Sequence, residues 1–145
     1  MTRTVIMASL ATLYWHPPLQ VGSDNVLPPC PDTPNCVSTE ATRSSQRVPT
    51  VSFTDTPVAA LARAKAALLA EPRTTITAER EGYLHAECKS LVFRFVDDVD
   101  IVVDPVAHVY RFRSASRLGR SDLGVNRKRI ARLSARLALP ATTSN

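Results

Sequence analysis

Three groups of side chains that could do chemistry recur in the second half of this sequence. Tyr83-Leu84-His85-Ala86-Glu87-Cys88 carries an imidazole and a carboxylate two residues apart, Asp97-Asp98-Val99-Asp100 carries acids, and arginines recur at Arg94, Arg111, Arg113 and Arg117. In a strand, His85 and Glu87 share a face, which makes them the weak candidates for proton transfer. A guanidinium offers a planar fork of donors that fits a carboxylate or phosphate. The stretch from Val109 to Leu137 reads as strand, small-polar turn and basic helix, the parts from which anion sites are assembled. The ligand-binding candidates are therefore Arg94, Arg113, Ser114, Ser116, Arg117, Ser121, Asp122 and Asn126. The competing reading is that Arg113 or Arg117 pairs with Glu87, Asp98 or Asp122 and only ties the corner to the sheet.

Other chemistries fit less well. A Cys88/His85 dyad would need both groups on one face, and three-residue spacing on a strand separates them. Ser114, Ser116 or Ser121 could be paired on paper with His85 and Asp122, but no Gly-x-Ser-x-Gly elbow is present. Asp97 and Asp98 are adjacent and so point to opposite faces. There is no phosphate loop or dinucleotide fingerprint, and no cofactor is expected. Cys30-Pro31-Asp32-Thr33-Pro34-Asn35-Cys36 can loop back on itself, so a Cys30–Cys36 disulfide is expected. Free thiols are one alternative. Another is a zinc set completed by His85 and Cys88, although its spacing is wider than the usual knuckle; no metal site is assigned.

The elements that would position these groups follow from periodicity. Thr54-Asp55-Thr56-Pro57 reads as a helix start, with a stripe of Val58, Leu61, Ala62, Lys65, Leu68 and Leu69 ending before Pro72. Four strands are expected at 74–80, 83–88, 91–103 (bent or bulged at Asp97-Asp98) and 108–114, joined by short connections as an antiparallel meander. A second helix should begin at Ser121-Asp122 and present Leu123, Ile130, Leu133 and Leu137. Alternation puts Leu84, Ala86, Cys88, Leu91, Phe93, Phe95, Tyr110 and Phe112 under the helices. Tyr83, His85, Glu87, Arg94, Arg111 and Arg113 fall on the opposite face. The fold class is α+β: an antiparallel sheet of about four strands, two helices on one face, and an irregular Pro-rich N-terminal segment.

At 145 residues the chain suits one domain. Residues 1–29 read as a leader or extended arm, 30–138 as the domain and 139–145 as a disordered tail. From Ala107 onward nine Lys/Arg face one acid, a balance of +8; the rest carries nine basic and twelve acidic groups, −3, and the two sum to the net +5. That asymmetry fits either an acidic partner or internal pairing with the Asp97–Asp100 segment. Nucleic acid is disfavoured because the basic helix lacks interleaved aromatics. Thr4 to Trp15 is apolar, with the length of an export-signal core and too short to span a bilayer; it offers a route to membrane association. No convincing cleavage site follows it.

The motifs CPDTPNCVS, YLHAECKS, FRFVDDVD and RSASRLGRSDLGVNRKRI together resemble the uncharacterised, largely bacterial family catalogued as domain of unknown function 1499, over Cys30 to about Leu137. The resemblance implies no reaction. It does imply an envelope or periplasmic location, since relatives often carry an N-terminal membrane or export segment; the leader here is weak, and a cytoplasmic location is the alternative. Arg120 and Cys88 sit where relatives look variable. Two functions are carried forward. One is a non-catalytic binding or accessory module of the cell envelope, taking an anionic small molecule or a protein partner at the polar sheet face beside the Ser114–Asp122 corner. The other is an enzyme of unknown reaction using His85 and Glu87 on an anionic substrate.

Overall fold

The computed structural model describes residues 21–139. Its elements run β1 (Cys36–Ser38), β2 (Val51–Ser52), α1 (Pro57–Leu69), β3 (Thr74–Arg80), β4 (Tyr83–Lys89), β5 (Val96–Asp104), β6 (Val109–Ser116) and α2 (Val125–Leu137). The six strands form one antiparallel sheet in the order β1-β6-β5-β4-β3, with β2 also paired to β6. The class is the α+β one expected, with six strands in place of four. The two extra strands come from the polar connector after Cys30. They are two and three residues long, and backbone pairing to the free edge of β6 creates them without any side-chain period.

Helix α1 starts as its sequence requires. Pro57 occupies the first turn and the Thr56 hydroxyl accepts from the Ala59 N–H at 3.2 Å. Its buried face is not the stripe of large residues. Ala60, Ala64, Ala67 and Leu68 are buried, whereas Val58 and Leu69 are exposed. Small residues let the helix axis approach the sheet closely enough for the Tyr110 hydroxyl to donate to the Ala60 carbonyl at 2.9 Å. Helix α2 begins at Val125 rather than Ser121-Asp122. Gly124 adopts φ 78°, where a Cβ would be strained. The Asp122 carboxylate accepts from the N–H groups of Gly124 and Asn126 at 2.9 and 2.8 Å, satisfying donors that a helix start leaves open. Ile130, Leu133 and Leu137 are buried; Leu123 faces solvent. Both helices cover one face of the sheet, over Leu84, Ala86, Cys88, Val99, Ile101, Val103, Tyr110 and Phe112.

The third expected strand starts later than its alternation suggested. The β4–β5 ladder closes at Lys89↔Val96. Leu91, Val92 and Phe93 stand 73%, 75% and 73% exposed, and Phe95 45%. The register that buries Val99, Ile101 and Val103 forces the hairpin to turn here, and Ser90 closes the turn: its N–H donates to the Phe95 carbonyl and its hydroxyl accepts from the Phe95 N–H, both at 2.9 Å. Leu91, Phe93 and Phe95 are therefore not core residues, and Arg94 lies in this loop at φ 53° rather than on the polar face. Pairing runs unbroken through Asp97 and Asp98; the irregularity lies in β3, between Ile76 and Ala78.

Residues 21–27 lie across part of the polar face, and Glu40 reaches Arg111 at its edge. Val21 and Leu27 pack with Tyr83 and Val102, and Arg80 stacks on the Tyr83 ring while its guanidinium donates to the Asn25 side-chain oxygen at 2.8 Å. Cys30 and Cys36 form a disulfide with Cα atoms 5.6 Å apart. The apolar run from Thr4 to Trp15 and the tail from residue 140 lie outside the described residues.

Candidate functional site

The sheet separates two polar networks. On the face away from the helices, β4, β5 and β6 bring His85, Asp100 and Arg113 into one cross-strand row and Glu87 and Asp98 into the next. Asp100 Oδ1 accepts from the Tyr83 hydroxyl at 2.7 Å and lies 2.8 Å from His85 Nδ1. His85 Nε2 is 3.2 Å from Asp98 Oδ1. Arg117 continues the same face beyond β6, gripping Asp98 with two nitrogens at 2.8 and 2.6 Å and reaching Glu87 at 2.5 Å. Arg113, buried, stands 3.8 Å from Asp100 Oδ2.

Electrostatics follows from the pairing. Burial alone would push the His85 imidazole down, but hydrogen bonds and charge from Asp100 and Asp98 outweigh it and raise its pKa to about 9. Burial likewise opposes ionisation of Asp98, yet Arg117 and His85 hold its carboxyl below the usual range. Tyr83 is pushed well up by burial and by Asp100, so it stays a donor. Burial pulls the Arg113 guanidinium down against the pull of Asp100 and Asp98. Three cations thus meet three carboxylates, and His85 is already protonated at neutral pH. It is unsuited to accept a proton there.

The second network lies on the helix side. Asn126, fully buried, accepts from the Ser114 hydroxyl at 2.6 Å and from Arg129 at 2.8 Å, and donates to Ser116 Oγ at 2.9 Å and to the Asn35 carbonyl at 3.1 Å. Arg129 pairs with Asp97 at 2.7 Å. Asn35 also donates to the Gly119 carbonyl at 2.6 Å. This network fastens the disulfide loop, the end of β6 and the start of α2 together.

The eight ligand candidates therefore divide. Arg113 and Arg117 lie on the polar face with His85 and Glu87. Ser114, Ser116, Asp122 and Asn126 lie on the other side, hydrogen-bonded internally. The α2 N-terminus is already filled by the Asp122 carboxylate. Ser121 caps Leu123 N–H at 3.3 Å and lines, with Ser116, Asp122, Phe95, Leu118 and Val125, a cavity of about 260 Å³ at the end of the sheet. Arg94 and Arg117 meet in an adjoining cleft of about 190 Å³ completed by Phe95, Val96 and Leu118. The zinc arrangement is ruled out by geometry: Cys30 and Cys36 are bonded to each other, and Cys88 sits on the core face with its sulfur 3.1 Å from Thr74 Oγ1.

Of the ties the sequence offers, Arg117 makes those to Asp98 and Glu87; the contacts of Asp100 with Tyr83 and His85, and the role of Asn35, have no counterpart in the sequence reading. Asp100 is two residues from Asp98, so the same strand period places it on that surface beside it. Nothing in the sequence marked Asn35 beyond its tolerance of turns. A larger cleft of about 500 Å³ lies at the opposite end of the sheet, lined mainly by Val58, Leu61, Gly82, Val103 and Pro105.

The family model described as "Protein of unknown function (DUF1499)" matches residues 26–137. The chain belongs to this family. No curated protein matches it. The matched span of this DUF1499 domain takes in the disulfide loop, both polar networks and both helices. No helix among the described residues is long and apolar enough to cross a membrane.

Proposed function

We propose that the domain is a non-catalytic binding module of the cell envelope that recognises an anionic group at the end of the sheet, beside the corner between β6 and α2. The observation that carries this reading is the contrast between two sets of cations. Arg113, Arg129 and His85 are committed to buried carboxylates, whereas Arg94 is exposed and has no side-chain partner among the described residues. Arg94 and Arg117 flank a cleft of about 190 Å³; Arg117 is held there by Asp98 and Glu87, which leaves the Arg94 guanidinium for a ligand. Ser114, Ser116, Asp122 and Asn126 fasten the end of β6 to the start of α2 beside it, and Ser121 borders the adjoining cavity. The disulfide and the apolar N-terminal run support an envelope location.

The test is thermal unfolding against a panel of soluble phosphates and carboxylates, since a ligand of the native state alone raises the midpoint. A rise that disappears in Arg94→Ala and persists in His85→Gln is expected. An unchanged midpoint across the panel at millimolar concentrations would remove the proposal. The enzyme reading, with His85 and Glu87 moving protons, keeps one supporting observation: Asp100 Oδ2 and Arg113 Nε are buried without hydrogen-bond partners among the described residues. Turnover of a panel member that is lost in His85→Gln would establish it instead.

A further inference from the structure

The loop between β4 and β5 has an unusual surface. Leu91, Val92, Phe93 and Phe95 project together, the rings of Phe93 and Phe95 stack at 5.4 Å, and the Ser90–Phe95 closure holds the four intervening residues as a defined tip. Of the other exposed large apolar side chains, Val58 borders the cleft at the opposite end of the sheet. The start of α2 joins the tip. Phe95 and Val125 line one cavity, and Leu123 beyond them is 87% exposed. Two loops from one end of the sheet thus present an apolar crest.

Cations lie within and next to these two loops in the chain. Lys89 and Lys128 are exposed, and their ammonium groups, like the Arg94 guanidinium, have no partner among the described residues. The nearby acids are already engaged: Asp97 by Arg129, Asp98 and Glu87 by Arg117, and Asp122 by backbone N–H groups at the start of α2. Apolar side chains at the summit with cations behind them match the layering of a bilayer interface, acyl chains beneath anionic headgroups. The clefts behind the tip, of about 260 and 190 Å³, are too small to seat a helix.

We infer that this end of the domain docks on a membrane surface, with Leu91, Val92, Phe93 and Phe95 entering the headgroup boundary and Arg94 and Lys89 on anionic lipid phosphates. The inference rests on the anion-recognition reading above for the role of Arg94, and it names the lipid headgroup as the anion.

The experiment is co-sedimentation of the full chain with phosphatidylcholine vesicles, with and without one-third phosphatidylglycerol, at low and high salt. Preferential binding to the anionic vesicles is expected. Binding should fall about tenfold or more in Phe93→Ser/Phe95→Ser and about fivefold in Arg94→Ala, while both variants keep the wild-type thermal midpoint because the altered groups are exposed. Binding by the double variant equal to wild type would overturn the inference and assign membrane contact to the N-terminal run. A wild-type dimer that the double variant dissociates, without vesicle binding, would also overturn it in favour of a second copy. Stabilisation by inorganic phosphate with no loop-dependent vesicle binding would leave anion recognition standing and remove the lipid. Loop-dependent vesicle binding without a phosphate effect would do the reverse.

Discussion

His85 is held between two aspartates on the polar face, and its charge state makes the fold sensitive to pH in a defined direction. Its folded pKa of about 9 lies above the ordinary value of 6.5. The stability it contributes is therefore complete below about pH 6.5 and lost as pH rises through about 9. The amount is on the order of a few kcal/mol. Asp98 works in the other sense: its lowered carboxyl contributes above its ordinary pKa of 3.8 and loses its contribution as pH falls. Urea midpoints measured from pH 5 to 10 should decline above neutrality in the wild type and much less in His85→Gln. Equal slopes in the two proteins would show that the imidazole is not held protonated. Across the sheet, Asp97 and Arg129 form a buried pair. Asp97→Asn leaves the guanidinium without its counter-charge and should cost about 3–5 kcal/mol, read from the same denaturation curves; a loss below 1 kcal/mol would mean Arg129 finds water.

At the scale of elements, what could be read in advance depended on how much of each element is fixed by its own side chains. Strands β3, β4 and β6 showed their alternation, and α1 showed its Thr56 cap and Pro57. The boundary of β5 could not be read, because Leu-Val-Phe-Arg-Phe looks like a strand and only the pairing with β4 determines where the hairpin turns. The strands β1 and β2 were illegible for the opposite reason: they carry no pattern and exist through an edge supplied by β6. The polar face is visible as a surface, and alternation already separates Asp98 from Asp97 and offers it to Arg117; what alternation does not show is that Asp100 and Asp98 hold His85 between them, which needs the register of β4 on β5. The corner was visible as a turn before a helix, but its internal hydrogen bonds depend on Asn35, 91 residues from Asn126. The disulfide loop belongs to this scale as well. It closes over a sequence separation of six, and chain-entropy reasoning assigns it about 2 kcal/mol. Reduction should lower the unfolding free energy by that amount, and Cys88, buried with its thiol pushed up by burial, should stay unalkylated until the protein unfolds. Rapid alkylation of three thiols in native, non-reduced protein would contradict both statements.

For the whole molecule, the sheet acts as a partition. The basic C-terminal part of the chain is largely matched from within, through Arg113 to Asp100, Arg117 to Asp98 and Arg129 to Asp97. The overall charge of +5 is therefore a poor guide to the partner, and position matters more than sum. Among the described residues, Lys89 and Arg94 lack side-chain partners and lie at the end of the sheet where the apolar tip stands, so the thermal-shift and vesicle experiments address the same surface with different probes.

The alternation in β5 has a consequence for how this chain can vary. Asp97 and Asp98 are neighbours whose carboxylates serve opposite sides of the sheet, and the same holds for each successive pair through Asp100 and Ile101. Inserting or deleting a single residue within that strand would invert every assignment at once, sending acids into the hydrocarbon layer and aliphatic groups among the ions. Length can change without that inversion only outside the ladders, and at this end of the sheet those places are the segments 90–95 and 117–124. The parts of the molecule free to differ in size are thus the ones that meet whatever lies outside it.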